Sequence, residues 1–192
     1  MEKYKGLPIF EIDFTDESVW NNISLVDFPA IERNFIKMAK QSEIQFKINE
    51  EKREVSGPVI LCDQLVYRRD RNGEYYIRFG KDVIKKMAIE FFKRDTQNNG
   101  NVMHQIDVDG VTFFESYIIN KERGICPVEF SDIPDYSWMV TAKVDNDELW
   151  ELIKKGEIRG FSIDCTAEFR ESKDDTIDTI EELVEYLKNT SK

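Results

Sequence analysis

The chain has 192 residues, 41% of them hydrophobic and 12% aromatic, enough for one domain with a packed core and too apolar for a disordered chain. Its 38 Asp and Glu outnumber its 27 Lys and Arg, and the formal net charge of -11 disfavours nucleic acid and anionic lipid as partners. The longest basic run, Arg68-Arg69, is followed at once by Asp70. Cys62, Cys126 and Cys165 lie far apart with no CxxC spacing, so neither a zinc site nor a disulfide framework is implied, and buried reduced thiols are expected. Met1-Glu2-Lys3-Tyr4-Lys5 lacks the apolar core of a secretory signal, and no apolar run approaches the roughly 18 residues of a membrane span. A soluble intracellular protein, without membrane or nucleic-acid partners, is the expectation.

Residues 7–14, LPIFEIDF, alternate partly and predict a strand; residues 19–27 predict a second. Phe28-Pro29-Ala30 breaks that ladder, because proline has no N–H to donate. Residues 31–41 fit a short helix or an irregular bridge. Residues 45–48 and 53–61 predict strands around a turn at 49–52, with a bulge or bend at Ser56-Gly57-Pro58. Asn72-Gly73 is a hairpin signal that leads into the β-rich residues 74–79. In residues 81–94, Val83, Ile84, Met87, Ala88, Phe91 and Phe92 form a stripe at helical spacing, which core packing explains.

Residues 95–101 are turn-rich. Residues 102–106 and 111–119 predict a β-hairpin around Asp107-Val108-Asp109-Gly110, with Gly110 at a positive φ. Residues 121–136 are loop-like, and 137–144 predict a strand. Asp145 or Asn146 caps a helix with Asp147 and Glu148 in its first turn, Lys154 and Lys155 in its last, and Gly156 just beyond. The strand FSIDCTAEF follows, then a charged stretch from Glu171 to Asp175 and a terminal helix over about 176–188. There is no internal repeat and no low-complexity tract. Short strands with two or three helices between them predict an α+β protein, with a mostly antiparallel barrel fitting better than regular βαβ alternation.

His104 is the only histidine, so any mechanism needing an imidazole base must use it. A lone histidine on a strand is, by itself, more often structural. Ser162 follows a Gly-Phe turn and opens a strand, but Gly160-Phe161-Ser162 lacks the Gly-x-Ser-x-Gly elbow of the α/β-hydrolases. Alternation puts Ser162, Asp164, Thr166 and Glu168 on one face of that strand, to line a site or to meet solvent. No glycine-rich phosphate loop appears, and residues 107–110 lack the later ligands of a calcium loop. No metal or organic cofactor is expected.

The order of motifs resembles the XkdF-like phage prohead proteases over roughly residues 20–170. It runs through Val55-Ser56-Gly57-Pro58-Val59, Tyr67-Arg68-Arg69-Asp70, a helix, His104, Gly110-Val111-Thr112, Glu115-Ser116 and Trp138-Met139-Val140. It continues with Asp147-Glu148-Leu149-Trp150 and the run from Gly156 to Ile163. These proteins are similar to the capsid maturation proteases that include the herpesvirus assemblins. The resemblance implies a small antiparallel barrel surrounded by helices, with a serine and a histidine on neighbouring strands.

Carried over by position, Ser162 matches the nucleophile and His104 the base. For the third member, the segment Ser24-Leu25-Val26-Asp27-Phe28-Pro29-Ala30 stands near the N-terminus rather than after the serine, which looks like a circular permutation and puts Asn22 in the orienting position. Glu115, across the expected hairpin, and Asp164 are rivals. The turn after Pro29, which adjoins the permuted strand, is the expected place of the oxyanion hole. The implied activity is a serine endopeptidase that cuts phage scaffold and major capsid proteins, and itself, inside the procapsid in the host cytoplasm. Copies of the chain are further expected partners. A protease-like domain over 1–170 and an acidic helical tail over 171–192 are expected. The alternatives are a non-catalytic capsid or scaffold-core protein that keeps the fold, or a binding module that uses the tail.

Overall fold

The computed structural model describes residues 6–27, 47–71 and 73–176. In chain order the strands are β1 (Pro8–Asp13), β2 (Val19–Val26), β3 (Lys47–Asn49), β4 (Glu54–Ile60), β5 (Val66–Asp70) and β6 (Gly73–Arg78). Helix α1 (Lys81–Lys93) is followed by β7 (Gly100–Val102), β8 (Ile106–Val108), β9 (Val111–Ile118) and β10 (Trp138–Val144). Helix α2 (Asp147–Lys154), β11 (Gly160–Thr166) and β12 (Glu168–Thr176) complete the described chain.

The strands form three four-stranded sheets, ordered β12-β1-β6-β5, β3-β4-β10-β9 and β11-β2-β7-β8. The chain is mostly β with two α-helices among the described residues, so the α+β class fits loosely. The ladders leave each sheet open rather than closing a barrel. Only Ala167 separates β11 from β12, and these two strands run antiparallel along β2 and then β1 as one bent ribbon joining two of the sheets. Parallel pairings β1–β6 and β2–β7 sit at the centre of those sheets.

The helices follow their local signals. Asn146 caps α2, its Oδ1 accepting from Leu149 N at 2.9 Å, while Asp147 and Glu148 face the positive end of the helix and Gly156 (φ +70) follows its last turn. Helix α1 buries Ile84, Met87 and Phe91 completely, whereas Phe92, at the margin of the predicted stripe, is half exposed. Phe91 enters an aromatic centre with Trp20, Trp138 and Phe113, at ring separations of 5.6 to 6.2 Å, and Phe113 meets Phe161 at 5.7 Å. Burying a ring of this kind contributes about 1.5–3 kcal/mol, and the edge-to-face pairs add to it. Phe161 is therefore the anchor that holds the start of β11 against the core, with Ser162 next to it on the opposite face.

Several sequence expectations change. The hairpin over 102–119 does not form: β8 pairs with β7, while β9 pairs with β10 in another sheet, although Gly110 does take φ +78. Residues 102–106 are not a strand, because Met103 and His104 turn the chain with φ of 57 and 59. The charged stretch after Glu171 is strand β12, which crosses the 170/171 boundary to Thr176 by pairing with β1. The terminal helix and the residues after Pro29 proposed for the oxyanion hole lie outside the described residues.

Candidate active site

Register brings Ser162, Asp164 and Asn22 to one face of one sheet. In the antiparallel pair β11–β2, Ser162 stands opposite Ser24 and Asp164 opposite Asn22. In the parallel pair β2–β7, Ser24 stands level with Asn101. Side chains opposite one another in a sheet share a face, with Cβ atoms about 5 Å apart. A register shift between Asp164 and Cys165 marks a bulge in this ladder. Strict alternation would send Trp20 and Ile23, three residues apart, to opposite faces. With the bulge both enter the core, and Asn22 and Ser24 turn to the other face.

His104 reaches this face from a tight turn. Gln105 N donates to Val102 O at 3.1 Å, and Met103 and His104 between them have positive φ, which is the signature of a type I′ turn. Asn-Gly is the usual choice there, and non-glycine residues cost of order 1 kcal/mol each. The turn is tied to β2 by Met103 N donating to Leu25 O at 3.0 Å and Asp27 N donating to Met103 Sδ at 3.4 Å. The imidazole Nδ1 then lies 3.0 Å from Ser24 Oγ.

Behind that contact runs a polar chain. Ser24 Oγ donates to Asn101 Oδ1 at 2.9 Å, with Asn22 Oδ1 a second acceptor at 3.2 Å, and Asn101 Nδ2 donates to Asp107 Oδ1 at 2.9 Å. Asn22 thus meets Ser24 and not the imidazole. Among the described residues no hydrogen bond joins Ser162 to His104. Glu115 stands on β9 in another sheet, where its carboxylate accepts from Thr141 Oγ1 at 2.6 Å, so the hairpin that would place it opposite His104 is missing. Asp164 acts on His104 through its charge.

Partial desolvation is the largest influence on the solvent-exposed His104 and pushes its pKa below the ordinary 6.5; the Asp164 carboxylate works against this and the Arg68 guanidinium adds to it. A depressed pKa leaves the imidazole neutral at pH 7, in the form that can accept a proton. The thiols take no comparable role. Cys165, beside Asp164, is pushed up to about 11 by burial and then by that carboxylate, and Cys62 to about 12 by burial and Asp63. Two clefts of about 490 and 540 Å³ open elsewhere, along β1, α1 and Tyr136, and neither is lined by Ser162 or His104.

A half-buried serine, a neutral imidazole and a polar chain gripping the imidazole from behind are the parts that acyl-transfer chemistry needs. Residues 41–171 match the family model Peptidase_S78_2, described as "Putative phage serine protease XkdF", and the chain belongs to that family. No curated protein and no solved structure matches the chain. The matched range contains His104 and Ser162 and begins after β2, so Asn22 and Ser24 come from outside it. Sequence reasoning missed Ser24 as a contact, together with Asn101, Asp107 and Arg68. Ser24 did stand in the segment quoted for the permutation, and its position two residues after Asn22 on a strand puts both on one face once the bulge is accounted for.

Proposed function

We propose that this protein is a phage prohead serine endopeptidase, with Ser162 as nucleophile and His104 as general base. One observation supports it above the rest: Ser162 is in register with Ser24, the residue that touches Nδ1 of the only histidine. Nδ1 being engaged, Nε2 is the nitrogen left for a substrate-side proton. Ser24 itself is a poor nucleophile, being fully buried at 0% exposure, whereas Ser162 is half-buried at the start of β11.

In the proposed reaction Nε2 takes the Ser162 hydroxyl proton as Oγ bonds to the scissile carbonyl carbon. The imidazolium returns that proton to the leaving nitrogen as the C–N bond breaks, releasing an amine and leaving an acyl ester on Ser162. Water, deprotonated by His104, then cleaves the ester and restores the serine. Backbone N–H donors must stabilise the oxyanion.

The family resemblance supports scaffold and major capsid proteins, and the chain itself, as substrates, inside the procapsid in the host cytoplasm. It also supports a circular permutation, since β2, which carries the Ser-Leu-Val segment, lies beside the serine strand although it precedes it by more than a hundred residues. The test is reaction with a fluorophosphonate probe, read by peptide mass spectrometry, with scaffold and capsid protein present and absent. A label on Ser162 that disappears in His104→Ala is expected. A folded protein that stays unlabelled under both conditions would leave a non-catalytic capsid component as the better reading.

A further inference from the structure

We propose that Ser24 is the positioning residue of His104, and that the chain Asp107–Asn101–Ser24 holds the imidazole as its Nδ1–H tautomer. The proposal rests on the catalytic reading above for its purpose, but its physical content is independent of it. It follows from counting hydrogens. The Asp107 carboxylate accepts only, so the Asn101 group facing it at 2.9 Å is the amide NH₂, which fixes which way the Asn101 side chain points. Its oxygen therefore faces Ser24 at 2.9 Å and needs a donor, and the serine hydroxyl has a single hydrogen to supply. With that hydrogen directed at Asn101, or at Asn22 Oδ1 at 3.2 Å, Ser24 Oγ is an acceptor towards the imidazole at 3.0 Å. Nδ1 must then carry a hydrogen, and Nε2 in the neutral ring carries none.

The environment makes this ordering consequential. Ser24 is fully buried and Asn101 nearly so, and a buried polar group left without its partner costs about 1–3 kcal/mol. A ring with hydrogen on Nε2 would point a bare Nδ1 at an acceptor oxygen and break the chain at the buried Ser24 hydroxyl. In familiar Ser-His hydrolases a carboxylate or an amide contacts Nδ1 directly. Here a hydroxyl does so, and the charge sits two hydrogen bonds farther away on the exposed Asp107. The device therefore orients the ring strongly and stabilises the imidazolium weakly. Asp164, across the sheet, is the carboxylate whose charge acts on the imidazole.

A lone histidine makes the test direct, since every imidazole signal in the full chain belongs to His104. Long-range ¹H–¹⁵N spectra of uniformly ¹⁵N-labelled protein, recorded above the imidazole pKa, report which ring nitrogen is protonated. The wild type is expected to show Nδ1–H with a bare Nε2. Ser24→Ala is expected to shift the neutral ring to the Nε2–H form and to slow Ser162 labelling by about tenfold or more. Asp107→Asn changes an exposed side chain, frees Asn101 to turn over, and is expected to give a mixture of tautomers; it decides the matter if Ser24→Ala does not fold. A wild-type ring in the Nε2–H form, or an Nδ1–H ring unchanged in both variants, would overturn the proposal even if Ser162 labels. An Nδ1–H ring that both variants disturb, in a protein that never labels, would sustain the positioning role and overturn the protease reading alone.

Discussion

Two polar rows cross this protein, each spanning three strands and each beside a bulge. In one, Ser162, Ser24 and Asn101 lie across β11, β2 and β7. In the other, Ser56, Thr141 and Glu115 lie across β4, β10 and β9, with Ser56 Oγ and Thr141 Oγ1 2.9 Å apart and Thr141 donating to Glu115 at 2.6 Å. Both satisfy their buried hydroxyls, and both lead to a carboxylate, Glu115 within the second row and Asp107 on β8 just beyond Asn101 in the first. Only the first runs into a strained turn that carries an imidazole. The second is closed: its one titratable group is the exposed Glu115, already an acceptor. A serine and an acid in a sheet are thus ordinary internal satisfaction, and the histidine turn is what gives one row the means to move a proton.

The largest expected effect separates the rows by geometry. A Cβ on Gly100 would lie 2.7 Å from Val111 Cβ and 2.9 Å from Val108 O. Gly100→Ala must therefore push β7 away from its neighbours, at about 1–3 kcal/mol in denaturant unfolding. Because β7 carries Asn101 and leads into the His104 turn, labelling of Ser162 should fall by more than the loss of folded protein accounts for. Labelling that merely tracks the folded fraction would show that β7 does not set the site.

Thr141→Val breaks the other row at its centre while keeping the side-chain shape. Two hydrogen bonds are lost, and about 1–2 kcal/mol of stability with them. Tautomer and labelling rate of the folded protein should not change. If they did, the two rows would be coupled through the core.

Much of the second row's framework could be read from the chain, and less of the first. Alternation and caps located β1, β2, β4, β10, α1 and α2, because each carries its own local signal. The stretch 102–106 misleads because Val, Met and Ile suggest a strand, and nothing in Met103-His104 announces two positive φ values; tertiary ties to Leu25 and Asp27 impose them. The continuation of β12 beyond Phe169 was hidden since the charged run from Glu171 to Asp175 has no apolar alternation, and pairing with β1 supplies the order, with Phe169 edge-on to Phe10 and Tyr75. Of the candidate site, Ser162 and His104 were legible through the family's motif order, whereas the contact between Ser24 and His104 depends on a parallel pairing of β2 with β7 that joins residues 77 apart in the chain. No local pattern encodes such a pairing.

The pH response sharpens the contrast further, because the second row, Ser56, Thr141 and Glu115, contains no imidazole. With its folded pKa below 6.5, His104 takes up a proton more readily in the unfolded chain. Its contribution to stability is therefore complete above pH 6.5 and is lost as pH falls from there through the folded pKa. Chemical shifts of the single imidazole should titrate with a midpoint below 6.5, and the labelling rate should rise with pH at that same midpoint. Asp164→Asn removes the charge that opposes the shift, so the midpoint should move further down; Arg68→Gln should move it up. A midpoint that ignores Asp164→Asn would remove that carboxylate as the source of imidazolium stabilisation.

The smallest expected effect probes the strain in the turn itself. Met103 holds φ 57 at the first central position of the type I′ turn, where asparagine is favoured and methionine is not. Met103→Asn should relax the backbone and stabilise the protein by about 0.5–1 kcal/mol, less whatever the contact from Asp27 N to the methionine sulfur contributes. The strained residue is partly exposed and sits next to the imidazole, so core packing does not account for its identity. If the methionine serves to hold the turn against β2, through the sulfur contact and its side chain, then Met103→Asn gives a more stable protein whose His104 ring is less well fixed, seen as line broadening of the imidazole signals and slower labelling. A variant that gained stability and labelled as fast as the wild type would show that the backbone bond from Met103 N to Leu25 O is enough to present the histidine, and that the side chain at this position is free to vary.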